Sequence, residues 1–420
     1  MLNNIPAKER VFLWLKISLF YLVLIALIGA YLRLKFVVPV PVFQYEYILH
    51  THSHTAMLGW VYSALYIALL LSFIPDAFNK KSYAVLFWLT QFAIMGILVT
   101  FTIHGYWFLS IAFSTLHIFL SYWFIVKFVK DVKQNKTVKE ISSLSLKFIF
   151  ASLFLLFLSS FGPWGLAVLA ANKMIGTGLY NDAIYFYLHF QYDGWFTFAV
   201  IGLFVRYIES LPVKLNLKSG VIAFWFLFAG VIPAYILSLP VQQVPSYIWV
   251  IAIIAAIVQF IGAIFLLKFL SPHLKTFAQD SNSYQRVLVY VFIISLATKF
   301  FLQLLSSVPY LNNLVFNNRD VIIGYIHLVM LGVVTCGLFA WLYKQGLLNI
   351  ENRVNKAGLV LFIIGFIITE ILLFAEMLIF WIDISFIPFR ILLFIFSSFL
   401  LSGVLTIWLD QFLAKDFNAS

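Results

Sequence analysis

Apolar residues occur along this chain in long blocks separated by short polar stretches, not in alternation with polar ones. A helix of about 20 apolar residues crosses the hydrocarbon core of a bilayer at 1.5 Å per residue. Twelve blocks reach that length: 11–34, 50–74, 83–103, 106–129, 146–171, 183–208, 219–239, 246–270, 287–308, 321–344, 356–379 and 386–413. The linkers are too short to hold a folded domain. The pattern therefore predicts an all-α polytopic membrane protein, a twelve-transmembrane-helix bundle with residues 1–420 as one integral membrane domain. The first block is too long for a signal-peptide core and lacks a small-residue cleavage site, so it is expected to stay in the membrane as a helix.

Composition agrees with this reading. The chain is 63% hydrophobic and only 10% charged, which no soluble globular class matches. Its 27 Lys and Arg outweigh 16 Asp and Glu, for a net charge of +11. Such a balance often signals nucleic acid, but here the basic residues lie in short loops between blocks, where they set topology. With the N-terminus in the cytoplasm, all of them except Arg33, Lys35, Lys173, Lys299, Arg319 and Arg390 belong to inner segments. Lys136, Lys139, Lys214 and Lys415 are among the inner ones. The predicted orientation is N-in and C-in, the partner is the lipid bilayer and not nucleic acid, and the expected location is a bacterial inner membrane. The single cysteine, Cys336, excludes an intrachain disulfide and a cysteine metal cluster, and is expected to be a packing residue. No GxGxxG, P-loop or HExxH is present, and no short-period repeat.

Within this topology the even-numbered spans run from outside to inside. Spans two, six and ten each carry a histidine in their first third: His54 in HTHSHTAMLGW, His189 in YLHFQYDGW and His327 in GYIHLVMLG. Three imidazoles at one depth point to a shared metal or haem site. In HTHSH, residues two apart on a helix point to nearly opposite faces, so His52 and His54 do not serve one metal; His50 and His52 are read as interfacial. Asp193 follows His189 by one turn on the same face and suits an orienting or proton-relaying role; Tyr185, Gln191 and Tyr192 add polar atoms. Tyr325 and His327 point about 200° apart. His104 and His273 are read as loop residues in water, and His117 as a buried, hydrogen-bonded neutral histidine. Lys299, Glu370 and Glu376 are ionisable groups inside spans, and Asp383 and Arg390 flank the last outer turn. Pro163 and Pro233 are candidate helix breaks.

These segments resemble the catalytic subunit of the haem-copper oxidase superfamily, leaning toward nitric oxide reductases, with a looser likeness to haem- and copper-containing NnrS-type membrane proteins. His54 with Thr55 and AMLGWVYSALYIALL resembles the span-two ligand of the low-spin haem. HLVMLG at His327 resembles the second of two span-ten positions, again low-spin, and Tyr325 stands at the first. His189 with Asp193 and Gly194 resembles the span-six metal ligand followed by an acidic-glycine step. Arg390, with Arg319 as the other candidate, stands where the family keeps arginines on haem propionates. The chain departs from the family in span seven, GVIAFWFLFAGVIPAYILSL, which carries no histidine.

The resemblance implies a respiratory-type electron-transfer protein. One low-spin haem of b type would be held by His54 and His327. A degenerate second site at His189, Tyr325 and Asp193 would take a second haem, copper or iron. The electron donor would be a separate cytochrome or quinol, since no CxxCH occurs. An active oxygen or nitric oxide reductase with a non-standard binuclear site is one alternative. A proton-coupled secondary transporter without haem, using Asp193, Glu370 and Glu376, is another. Copper or zinc handling by HTHSH is a third.

Overall fold

The computed structural model describes residues 6–135, 143–213, 215–279, 282–349, 352–382 and 388–413. Lys136, Lys139, Lys214, Asp383 and Lys415 lie outside the described residues. Among the described residues all regular structure is helical. In chain order the long helices are α1 (Ala7–Leu34), α2 (Tyr45–Phe73), α3 (Lys81–His104), α4 (Phe108–Gln134), α5 (Ser143–Ala171), α6 (178–209), α7 (Leu217–Val231), α8 (Ser246–Gln279), α9 (Ser283–Leu305), α10 (Arg319–Lys344), α11 (Arg353–Ile382) and α12 (Phe389–Leu413). Ten of these, all but α6 and α7, are long and apolar enough to cross a membrane, which marks an integral membrane protein.

The two exceptions have local causes. Helix α6 is long, but its middle carries His189, Gln191, Tyr192 and Asp193, and these lower its hydropathy. Helix α7 ends at Val231, and a 3₁₀ turn over Pro233–Ser238 follows. Proline has no N–H to continue the helical ladder and its ring crowds the preceding turn, so the block expected as one span over 219–239 is a shorter helix plus a turn. Pro163 acts more mildly: α5 carries a one-residue interruption at Ser160, and the helix resumes at Phe161. His273 lies inside α8 and is buried, packed edge-on against Phe269, because α8 continues beyond the expected span end at 270. The loop position expected for it is corrected.

The chain forms two compact units, one comprising Met1–Asp131 and Trp341–Ser420, the other Val132–Ala340. In the first, α12 packs against α1 and α11. Trp14 of α1 is fully buried and stacked on Phe87 at 4.2 Å. In the second, α5 packs on α6, α7 on α8, and α9 on α10. Glu209 at the end of α6 accepts hydrogen bonds from the first amides of α5, Leu144 N and Ser145 N, at 2.9 and 3.3 Å. It thereby satisfies donors that a helix start leaves open.

Three helices share one device. In α2, α6 and α10 the α-helical ladder widens into a π-helical turn, over Thr55–Val61, Phe190–Phe196 and Leu328–Thr335. The residue before each turn is His54, His189 and His327, and a glycine follows each histidine by five positions: Gly59, Gly194 and Gly332. Each π turn packs on the helix preceding it, α1, α5 or α9. A Cβ at Gly59 would lie 2.9 Å from the Tyr21 ring, and one at Gly194 2.9 Å from Leu155 Cβ. Glycine is required at both positions by close approach. In α6 and α10 a threonine closes the turn: Thr197 Oγ1 donates to Tyr192 O at 2.6 Å, and Thr335 Oγ1 to Met330 O at 2.8 Å. The same local structure thus recurs at near-equal intervals along the chain.

Candidate functional site

A buried polar cluster lies in the second unit. Its first member, His189, closes the α-helical part of α6 and is fully buried. Its Nε2 lies 2.8 Å from Val231 O. That carbonyl is the last of α7, where the ladder ends and an acceptor is left over. A carbonyl only accepts, so Nε2 carries the proton. The other nitrogen, Nδ1, lies 3.1 Å from Asp193 Oδ2 and 3.4 Å from Ser238 Oγ. Phe190 packs edge-on against the imidazole at 5.0 Å.

Asp193 is the hub. Its Oδ1 lies 3.0 Å from Lys299 Nζ and accepts from the Tyr325 hydroxyl at 3.2 Å. Lys299 on α9 is fully buried and also donates to Gln303 Oε1, 3.1 Å away on its own helix. Tyr192 is hydrogen-bonded to Ser238 and packs edge-on to Tyr325 at 6.2 Å. Gln191 ties α6 to α5 by donating to Ser159 Oγ at 2.9 Å, at the interruption before Pro163.

The proton inventory follows from these contacts. With Nε2–H committed to Val231 O, the short Nδ1···Oδ2 contact needs a proton of its own. It is carried either by the imidazole, as an imidazolium–carboxylate pair, or by the aspartate, as a neutral pair. One proton therefore has two positions along a contact of 3.1 Å between the heavy atoms, beside the Lys299 ammonium. Such an arrangement holds a proton and passes it along a hydrogen bond.

The same geometry bears on the metal-ligand role expected for His189. A ligating imidazole offers one bare nitrogen, and here both nitrogens are engaged. Among the described residues no group of three or more His, Cys, Asp or Glu is placed to hold a metal ion.

In the first unit His52 points away from His50 and His54, as their helical spacing predicts. His50 packs edge-on against Tyr106 at 4.7 Å. His52 turns to α1, with Nδ1 3.1 Å from Ile25 O and its ring against Gly29. Its partner is a helix carbonyl within the unit, not a loop or a headgroup. His54 lies on the Phe101 ring, centroids 4.5 Å apart. Its Nε2 is 3.4 Å from the Tyr106 hydroxyl, and its Nδ1 is buried with no hydrogen-bond partner. His117 is buried beside Tyr62, with Nδ1 3.4 Å from Ser121 Oγ and Nε2 unpartnered. It is less fully bonded than expected. His50 and His54 thus share the Phe101 and Tyr106 rings, while His52 faces α1.

The other expected residues stand as follows. His327 is partly buried at the last α-helical position before its π turn. Arg319 is exposed at the first turn of α10, where Asn318 caps the helix. Arg390 is exposed at the start of α12, 6.0 Å from the Phe36 ring. Cys336 is fully buried.

No family model matches this chain, and no curated protein matches it. The likeness to haem-copper oxidases therefore rests on the residues quoted above.

Tested on these contacts, His54 fits a haem axial ligand: its imidazole is held between aromatic rings and makes one long hydrogen bond, with the other nitrogen buried and unpaired. His189 does not fit a copper or non-haem iron ligand. Lys299, Gln303, Ser238 and the Val231 carbonyl join the site without having been assigned to it from sequence. For Lys299 a signal existed, since it breaks the charge bias and sits inside a span. For Ser238 and Val231 O none did, because their place depends on how α7 ends.

Proposed function

We propose that this chain is a haem-binding electron-transfer protein of a cytoplasmic membrane, spanning it twelve times with both termini inside. In this reading the His189–Asp193–Lys299–Tyr325 cluster is a buried proton-holding site, not a second metal centre. The observation that carries the reading is the repeated His-then-π-turn device. The three histidines singled out by the resemblance to haem-copper oxidases are the three that precede a widened turn, and π turns concentrate at functional sites. The resemblance supplies His54 and His327 as axial ligands, Arg319 and Arg390 as propionate partners, and a separate cytochrome or quinol as donor. A low-spin haem, when bound, supplies one-electron chemistry. The chain's own residues enclose the His54 imidazole and hold one proton between His189 Nδ1 and Asp193 Oδ2.

A proton-coupled transporter without haem is the second reading, favoured by the buried Asp193–Lys299 pair. The deciding experiment is the visible spectrum of purified protein, oxidised and dithionite-reduced, with His54→Ala and His327→Ala beside it. A Soret band lost in either variant supports the haem protein. No Soret band after expression with ample haem removes that reading in favour of the transporter.

A further inference from the structure

The first unit holds an ionisable group that the proposal above does not use. Glu370 lies in α11 and is 8% exposed. Both of its carboxyl oxygens are buried without a hydrogen-bond partner. The nearest hydroxyl in sequence is committed elsewhere: Thr369 Oγ1 donates to Gly365 O and Phe366 O of its own helix, at 2.8 and 3.0 Å. Just before Glu370 in sequence, α11 and α12 cross closely. A Cβ at Gly358 would lie 2.9 Å from Gly403 O, and one at Gly365 2.8 Å from Leu400 N. Small residues let the two backbones approach this closely.

The charged neighbours do not supply the missing donor. The field of Arg33, at the end of α1, reaches Glu370 without a hydrogen bond to it. On α12, Arg390 is exposed, and Asp410 accepts from Asn352 at 2.8 Å and from Asn355 at 2.6 Å. On α11 itself Glu376 is partly buried and does have a partner. An ionised carboxylate buried without a donor is among the most expensive groups a bilayer protein can hold. Of the two carboxyls of α11, Glu370 alone meets that condition among the described residues.

We propose that Glu370 is a second proton-binding carboxyl, separate from Asp193, that carries its proton at neutral pH and is the site of modification by an apolar carbodiimide. The reaction balances without a co-reactant. The carboxylic O–H adds across one C=N bond of the reagent: the oxygen bonds to the central carbon and the proton goes to nitrogen. The acyl group then migrates to nitrogen as a stable N-acylurea, so the protein gains the mass of one whole reagent. The proposal does not rest on haem, and an absent Soret band leaves it standing.

The experiment treats the purified full chain in detergent with dicyclohexylcarbodiimide at neutral pH and maps the product by peptide mass spectrometry. One reagent is expected on the peptide containing Glu370, persisting in Glu376→Gln and Asp193→Asn and lost in Glu370→Gln. Infrared spectra of the same proteins should show the carbonyl stretch of a carboxylic acid free of hydrogen bonds, missing only from Glu370→Gln. Reagent on Glu376 instead, or no free-acid band in the folded wild type, would overturn the proposal. Peptide mapping of the wild type decides the matter even if Glu370→Gln does not fold.

Discussion

Lys299 Nζ and Asp193 Oδ1 lie 3.0 Å apart on α9 and α6, each side chain within 3% of full burial. The two helices bring into an apolar interior two charges that neither could hold alone. Removing one partner from such a pair costs about 3–5 kcal/mol, while replacing both with neutral groups is far milder. Asp193→Asn and Lys299→Met should each lower the detergent-solubilised melting temperature markedly. The double variant should melt above the sum of the two losses. Strict additivity in the double-mutant cycle would show that the pair is not coupled.

His189 is predicted to matter to the cluster through its two hydrogen bonds and not through a metal. His189→Ala orphans the Val231 carbonyl and one oxygen of Asp193, at about 1–3 kcal/mol for a buried group left unpaired. His189→Gln retains an amide N–H and should recover part of that loss. Elemental analysis should find the same copper and iron content in His189→Ala as in wild type. A metal that disappears with His189 would restore the ligand role.

Gly59 and Gly194 of the π turns should tolerate no side chain. At Gly194 a Cβ would meet Leu155 Cβ at 2.9 Å, and at Gly59 the ring of Tyr21 at 2.9 Å. Gly194→Val and Gly59→Val should each cost about 1–3 kcal/mol by overpacking, read as reduced yield and earlier melting. Gly176, with nothing within 4 Å of its would-be Cβ but φ of 81°, serves as a contrast. There a substitution strains the backbone without displacing a neighbour.

Orientation is testable because Cys336 is fully buried and leaves the native chain silent to impermeant maleimides. Cysteine in place of Lys173 should label from outside intact cells, and cysteine in place of Lys133 only after the membrane is opened. Both positions are exposed. The reverse pattern would invert the charge-derived topology.

Much of the architecture is legible in the chain itself. Apolar blocks of spanning length locate the ten long helices because the bilayer imposes one length on every crossing helix. The spacing of His189 and Asp193 places them on one face, and their side chains meet at 3.1 Å. The two-residue offset in HTHSH sends His52 and His54 to different helices for the same reason. At the π turns the glycine five positions after each histidine is legible, but the packing of the widened turns on α1, α5 and α9 is not.

Sequence alone determined the helical membrane character, the positions of the histidines and the presence of ionisable groups inside spans, because hydropathy and helical periodicity act over a few residues. Only the tertiary structure decided which of those groups find partners. Lys299, far along the chain from Asp193, reaches it because α9 and α10 pack together in one unit with α6. The early end of α7 frees the carbonyl that occupies His189. The crossing of α11 and α12 leaves Glu370 with none. Burial turns an unmet hydrogen bond into a large energy, and burial is set by how the helices pack.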